Sequence, residues 1–346
     1  MKPNLSKLSV CLSLLAFLAN PAVAGAQERI VHPTEEDPNE VVTGASSRSA
    51  SEGAEFLLIP IGARAVGMGG AVTGLRQIGE LVLWNPAAIA SLEEGRLLFN
   101  HAEGAFETRS EVLSLLWPTK KLGTLAITYY LVDFGDLPST DVNGTVQGNI
   151  NFRNQEFLLS YARALFGPLE LGLNYKLIQL VFRCDGTCAD QRSFTRTTHA
   201  VDLGLIVDGV AGLPLSMGGS VRHLGFPLEG ANSEDPLPTR IRLGFAYEAL
   251  SLITGDSNLG LAIALDLEDQ WRDPGDPDLM VGSEFGVAER FFVRAGYAFL
   301  DAGRGGPSLG LGLTYDWFYV DLSRGFDEVS TATGEEAVQV SFGVIF

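Results

Sequence analysis

The chain has 346 residues and a net charge of −18, with 42 acidic residues against 24 lysines and arginines. That balance excludes nucleic acid as a partner and opposes attraction to anionic lipid. Only 19% of residues are charged, while 40 are glycine and 20 phenylalanine, a makeup too apolar for a soluble surface.

The first element is an address. Lys2 and Lys7 form a positive n-region, and residues 8–18 an apolar core too short to span a bilayer. Ala22-Val23-Ala24 matches a small-x-small cleavage site, with Ala24-Gly25-Ala26 an equal alternative. Cys11 lies inside the apolar core, so it is read as discarded with the signal peptide, residues 1–26. The chain is therefore expected to be exported. Residues 27–53 are acidic, rich in Ser, Glu and Pro, and lack apolar periodicity. Such a segment cannot bury enough surface to fold alone, and reads as a flexible periplasmic arm.

Residues 54–92 are apolar and glycine-rich without clean alternation. The best helical candidate, residues 56–75, is broken by Pro60, Arg64 and several glycines. Any membrane span must then be built from strands.

From residue 96 the period becomes two. Leu125, Ile127, Tyr129 and Leu131 oppose Thr124, Ala126, Thr128 and Tyr130. Ile241, Leu243, Phe245 and Tyr247 oppose Arg240, Arg242, Gly244 and Ala246. A β-sandwich would also alternate, but here the second face is Gly, Ala, Thr and isolated charges, which suits a filled or wet lumen. The expected strands are 96–103, 109–117, 122–131, 152–163, 167–182, 194–208 and 215–225, then 238–249, 257–267, 278–287, 289–300, 307–315, 317–325 and 335–346. Connections after even-numbered strands are mostly short, and those after odd-numbered strands mostly longer and acidic, the outer-membrane arrangement. Trp117 and Trp317 fall at periplasmic strand ends, where aromatics anchor at the headgroups. Phe346 ends the last strand as the expected signal for the barrel-insertion machinery. The fold class is all-β: an antiparallel transmembrane barrel of about fourteen strands over residues 93–346, in the bacterial outer membrane.

A barrel of that size is too wide for wall side chains to fill, so residues 54–92 are expected to plug the lumen. The stretch from Phe56 to Ala71 (FLLIPIGARAVGMGGA), with Trp84-Asn85-Pro86-Ala87-Ala88, resembles the opening signature of the PorV/PorQ family, itself related to the FadL-type hydrophobic-compound channels. The likeness extends through Leu237-Pro238-Thr239-Arg240 to the terminal strand, over about residues 54–346. It departs at residues 75–80 (LRQIGE), where relatives carry an Ala-Asp-Asp run, which puts any role of that pair in doubt here. The resemblance implies a FadL-like plugged barrel and two activities, passage of hydrophobic small molecules or reception of secreted cargo proteins at the outer face.

The candidate site is the plug: Phe56, Leu57, Leu58, Ile59 and Met68 as lining of a hydrophobic pocket, with Arg64, Trp84, Asn85 and Pro86. Arg64, a cation in an apolar segment, requires a partner, for which a lumenal carboxylate is expected. Gly67-Met68-Gly69-Gly70 lacks the strand-then-helix setting of a phosphate loop and reads as a turn. His32, His101, His199 and His223 belong to separate segments with no serine motif, so no enzyme is expected. No cofactor or metal is expected either, because histidines and cysteines lack ligand spacing. Asp266, Glu268, Asp269, Asp273, Asp276 and Asp278 crowd one outer loop, better read as a solvated surface than as a cation site. Arg240, Arg242, Arg290, Arg294, Glu170, Lys176, Asp202, Asp266, Glu284 and Asp321 are lumenal charges of mixed sign, expected to pair. Cys184 and Cys188, the only cysteines after the signal peptide, are expected to form a disulfide in an oxidising compartment.

Overall fold

The computed structural model describes residues 52–346 except 105–107, 120, 189–191, 230–233, 253–257, 301–304 and 328–336. The expected signal peptide, and the expected arm up to residue 51, lie outside the described residues. The wall begins with β1 (Arg96–Glu103), β2 (Arg109–Thr119), β3 (Gly123–Thr140), β4 (Val146–Ala164), β5 (Leu169–Gly186), β6 (Phe194–Val207) and β7 (Leu215–Gly225). Two short strands follow, β8 (Leu228–Glu229) and β9 (Glu234–Asp235). The wall resumes with β10 (Arg240–Glu248), β11 (Leu259–Gln270), β12 (Asp278–Val287), β13 (Phe291–Phe299), β14 (Gly306–Tyr315), β15 (Phe318–Gly325) and β16 (Val338–Ile345). Without β8 and β9, fourteen strands form one closed antiparallel sheet, sealed by β16 on β1 with Arg96 opposite Ile345 and Glu103 opposite Val338. Closure leaves no sheet edge within the hydrocarbon, the condition for spanning a bilayer with strands.

Burial along the strands is the reverse of a soluble protein. On β3 Thr124, Ala126, Thr128 and Tyr130 are buried, whereas Leu125 and Ile127 are 51% and 61% exposed. On β2 Ser110, Val112, Ser114 and Leu116 point in, and Leu113, Leu115 and Trp117 point out. The outer face is therefore an apolar band and the lumen takes the small, polar and charged residues. Trp117 packs against Phe346 with ring centroids 5.8 Å apart, and Trp317 against Phe318 at 5.1 Å, both at the end that carries the shortest turns. Two connections at that end, residues 208–214 and 249–258, are longer than the sequence pattern suggests.

The wall strands occur where the alternation places them, with one systematic extension. β3 continues to Thr140, β4 starts at Val146 and β5 runs to Gly186, forming an overhang beyond the outer rim. Alternation lapses there because no lipid selects apolar residues on one face, while the ladder continues. Polar side chains support it: Asn151 donates to Gly135 O at 3.1 Å and to Asp136 Oδ1 at 3.0 Å, and Arg153 pairs with Asp133 at 2.7 Å. Cys184 and Cys188 form a disulfide at the tip of β5, their Cα atoms 6.1 Å apart.

Three expectations change. β11 extends to Gln270, so Glu268 faces the lumen, and Asp266 keeps its expected place among the lumenal charges and is not part of the acidic outer loop. Arg290 lies in the tight Ala288–Arg290 turn, where Ala288 and Glu289 both have φ of 54°, and sits 5.5 Å from the Tyr315 ring instead of in the lumen. Leu228 and Leu237, in the connection between β7 and β10, are buried at the outer mouth.

Replacing Leu311, exposed at the middle of β14, with arginine should cost about 2–4 kcal/mol, as lipid-facing cations do near the midplane. Urea titration of folding into vesicles measures it; an unchanged midpoint would contradict the assignment of faces. The mature protein should take up no alkylating label before reduction and two after it, read by intact mass.

Candidate functional site

The segment before the wall crosses the lumen in one-turn helices, Glu55–Leu58, Ala63–Gly67, Gly79–Leu83 and Pro86–Ile89, joined by turns. Glycine permits the turns: Gly62, Gly69 and Gly70 have φ of 98°, 64° and 81°. Asn85 caps the last helix, its Oδ1 accepting from Ala87 N at 3.0 Å. The segment starts at the outer mouth. Gly53 N donates to Pro236 O at 2.8 Å, and Glu52 pairs with Arg240 through two contacts of 3.0 and 2.7 Å. Glu52 and Gly53, placed in the periplasmic arm by composition, are thus fastened to the outer rim. The segment leaves at the opposite end, where Gly95 and Phe346 exchange backbone hydrogen bonds of 2.8 and 2.9 Å.

What lets so bulky a segment lie against the wall is a set of glycines opposed across strands. Gly172 faces Gly204, Gly218 faces Gly244, and Gly282 faces Gly296. Each pair leaves a patch of bare backbone on the lumenal face. Pro86 and Asn85 press on the first, Thr73 and Gly74 on the second, Met68 and Gly69 on the third. A Cβ at any of these six positions would overlap plug atoms. The seat is made backbone against backbone.

Charges and hydrogen bonds fasten what the glycines admit. Arg64 pairs with Glu284 at 2.6 Å, Glu284 with Arg294 at 2.6 Å, and Arg294 with Asp321 at 2.5 Å. A lumenal carboxylate does meet Arg64. Asp266 Oδ2 accepts from the backbone amides of Val72 and Thr73 at 3.1 and 2.9 Å. The Trp84 ring lies against Arg222 and Arg242, whose guanidinium carbons are 5.3 and 4.8 Å from it, and its indole N–H donates to Ile61 O at 2.8 Å. Asn85 Nδ2 spans plug and wall, donating to Thr73 O at 2.9 Å and Leu205 O at 3.2 Å. The divergent stretch 75–80 supplies two further fasteners. Arg76 pairs with Glu170 at 2.6 Å and with Asp208, and Glu80 accepts from Ser341 Oγ at 2.6 Å.

Phe56, Leu57 and Met68 are buried in the plug's packing face, while Leu58 and Ile59 are half-buried. Phe56 lies 5.8 Å from the Tyr130 ring, and Tyr130 donates to its carbonyl at 3.2 Å. Beside Ile61, Glu80 and Tyr319 is a void of about 10 Å³, the size of a single water site. Packing therefore governs these side chains in this state.

Sequence reasoning did not single out Arg76, Glu80, Arg222 or the lumenal glycines. The glycines had a signal, but it needs the strand register to be read. Lys176 joins Glu156 and Asp202 at 2.9 Å each and His223 Nδ1 at 3.1 Å, a buried network with no serine nucleophile in it. His101 bonds Glu111 and His199 bonds Tyr175, each at 2.6 Å. Among the described residues no three His, Cys, Asp or Glu side chains cluster as metal ligands.

No protein-family model and no curated protein matches the chain in sequence. Solved structures do match in fold. The Pseudomonas putida toluene transporter TodX has a TM-score of 0.53 at 11% identity, over 81% of this chain and 96% of its own. The CymD monoaromatic hydrocarbon channel has 0.55 at 13%, over 83% and 97%. A Pseudomonas aeruginosa FadL homologue has 0.52 at 10%, over 82% and 98%. The chain has the FadL-like barrel fold. At such identity the likeness extends to architecture and not to substrate.

This seat yields a prediction. Gly218→Ala should destabilise the protein by about 1–3 kcal/mol, because its methyl group would overlap the Thr73 carbonyl. Enhanced proteolysis within residues 54–92 reports the loss, and an unchanged cleavage rate would contradict it.

Proposed function

We propose that the protein is a plugged outer-membrane channel that binds or passes hydrophobic small molecules. The observation that carries this reading is the seat itself. A lumen this wide needs a second segment in any case, but a permanent filling could be welded to the wall by interdigitated apolar side chains. This wall instead carries opposed glycines where the plug crosses, and holds the plug with ion pairs and hydrogen bonds. Such contacts can be broken and remade without unfolding the wall. The FadL-like fold supports the same reading, since the printed names of TodX and CymD describe a toluene transporter and a monoaromatic hydrocarbon channel.

The pocket-lining roles of Phe56, Leu57, Leu58, Ile59 and Met68 belong to this proposal and require a state in which the plug shifts. The test is uptake of labelled toluene by cells with and without the protein, and with Arg64→Ala, which removes one plug fastener. Uptake should depend on the protein and rise in the variant. Equal uptake with and without the protein would overturn the proposal.

The PorV/PorQ resemblance supports a second reading, a secretion accessory that receives cargo at the outer face. The β3–β5 overhang, with its disulfide at the tip, is the feature that favours it. If loss of the protein stops display of secreted cargo and leaves toluene uptake unchanged, this reading replaces the first.

A further inference from the structure

The plug accounts for Gly172, Gly204, Gly218, Gly244 and Gly282 on β5 to β12, but not for Gly219. That residue points outward, at the centre of a row crossing five strands: Leu171 faces Leu205, Leu205 faces Gly219, Gly219 faces Leu243, and Leu243 faces Leu267. A Cβ at Gly219 would rest 3.6 Å from Leu205 Cγ and 3.8 Å from Arg242 O, ordinary contact distances. Its φ also lies outside the left-handed region. Neither backbone nor packing requires a glycine here, and a glycine inside a strand weakens it. Around this gap in the row lies an open hollow of about 710 Å³ on the lipid-facing side, bordered by Leu171, Leu205, Ile241, Leu243, Leu267 and Pro277.

We propose that this hollow binds one hydrocarbon chain of an outer-membrane lipid. The five strands around it pair with one another, so their ladder offers no free edge to an incoming peptide. Asp269, at the outer end, already accepts from Gln270 N at 2.7 Å and Gly275 N at 2.9 Å. The hollow lies in the apolar band, where hydrocarbon is the surrounding medium. Its volume lies within the range of pockets that enclose a small organic ligand, room for one acyl chain. In lipid no hydrophobic force favours the site over the bulk. Retention comes from dispersion contact on several sides, which a chain against a convex wall does not have. The floor is also the wall that carries the plug: Gly218 and Gly204, adjoining the row, press on Thr73 and Asn85. The bound chain lies one backbone thickness from the seat. The inference rests on the transmembrane fold and is independent of what the channel transports.

Native mass spectrometry of the full protein, extracted from membranes in mild detergent, tests it. Wild type and Leu311→Phe, a lipid-facing control on β14, should each retain one lipid per barrel. Gly219→Phe, which fills the hollow, should lower that retention by about tenfold, a loss of about 1.4 kcal/mol. Should Gly219→Phe fail to assemble, Gly219→Ile places a strand-favouring side chain in the same space and is read the same way. A wild type that retains no lipid, or variants that all retain it equally, would overturn the proposal. So would an equal loss in Leu311→Phe.

Discussion

A peptide group in hydrocarbon has no water to bond, and every other feature of this protein follows from that constraint. Strands can satisfy it only by pairing on both sides, so the sheet must close, with β16 on β1. Closure with fourteen strands leaves a lumen that wall side chains cannot fill. A second segment has to occupy it, and where that segment crosses, the wall must make room. It does so by giving up side chains in opposed pairs, Gly172 with Gly204, Gly218 with Gly244, and Gly282 with Gly296. Contact through bare backbone is close but carries little hydrogen bonding. Specificity of seating passes to Arg64, Arg76, Glu80 and Asp266.

The barrel was legible in the sequence because lipid enforces a strict alternation. Leu125, Ile127 and Leu113 sit on the outer face for the same reason that Thr124, Thr128 and Ser114 do not. Where lipid ends, so does the signal. The sequence pattern stopped near Leu131 and resumed near Phe152, yet β3 and β4 continue past both, their pairing supported by Asn151 and Arg153. The same limit affected Glu268. Surrounded in sequence by acidic loop residues, it reads as one of them until the register places it opposite Arg242 in the lumen.

The candidate site was legible in location but not in detail. Position before the first strand, glycine content and the need of Arg64 for an anion all pointed to residues 54–92 as a plug. Which wall residues receive it depends on register, because a lumenal glycine has meaning only beside the glycine on the next strand. The stretch 75–80 lacks the acidic pair of the relatives it resembles, and Arg76 and Glu80 fasten the segment through different partners, Glu170 and Ser341. Its direction was misjudged as well. Composition suggested a chain rising from the periplasm, whereas Glu52 and Gly53 are held at the outer mouth by Arg240 and Pro236.

The central claim is that residues 54–92 close the lumen as a separable plug. Its most direct test is single-channel conductance in planar bilayers of the wild type and of a chain lacking those residues, with assembly of both confirmed by heat-modifiable mobility. A closed wild type and an open, higher-conductance deletion are the predicted result. Equal conductance from two correctly assembled barrels would contradict the account.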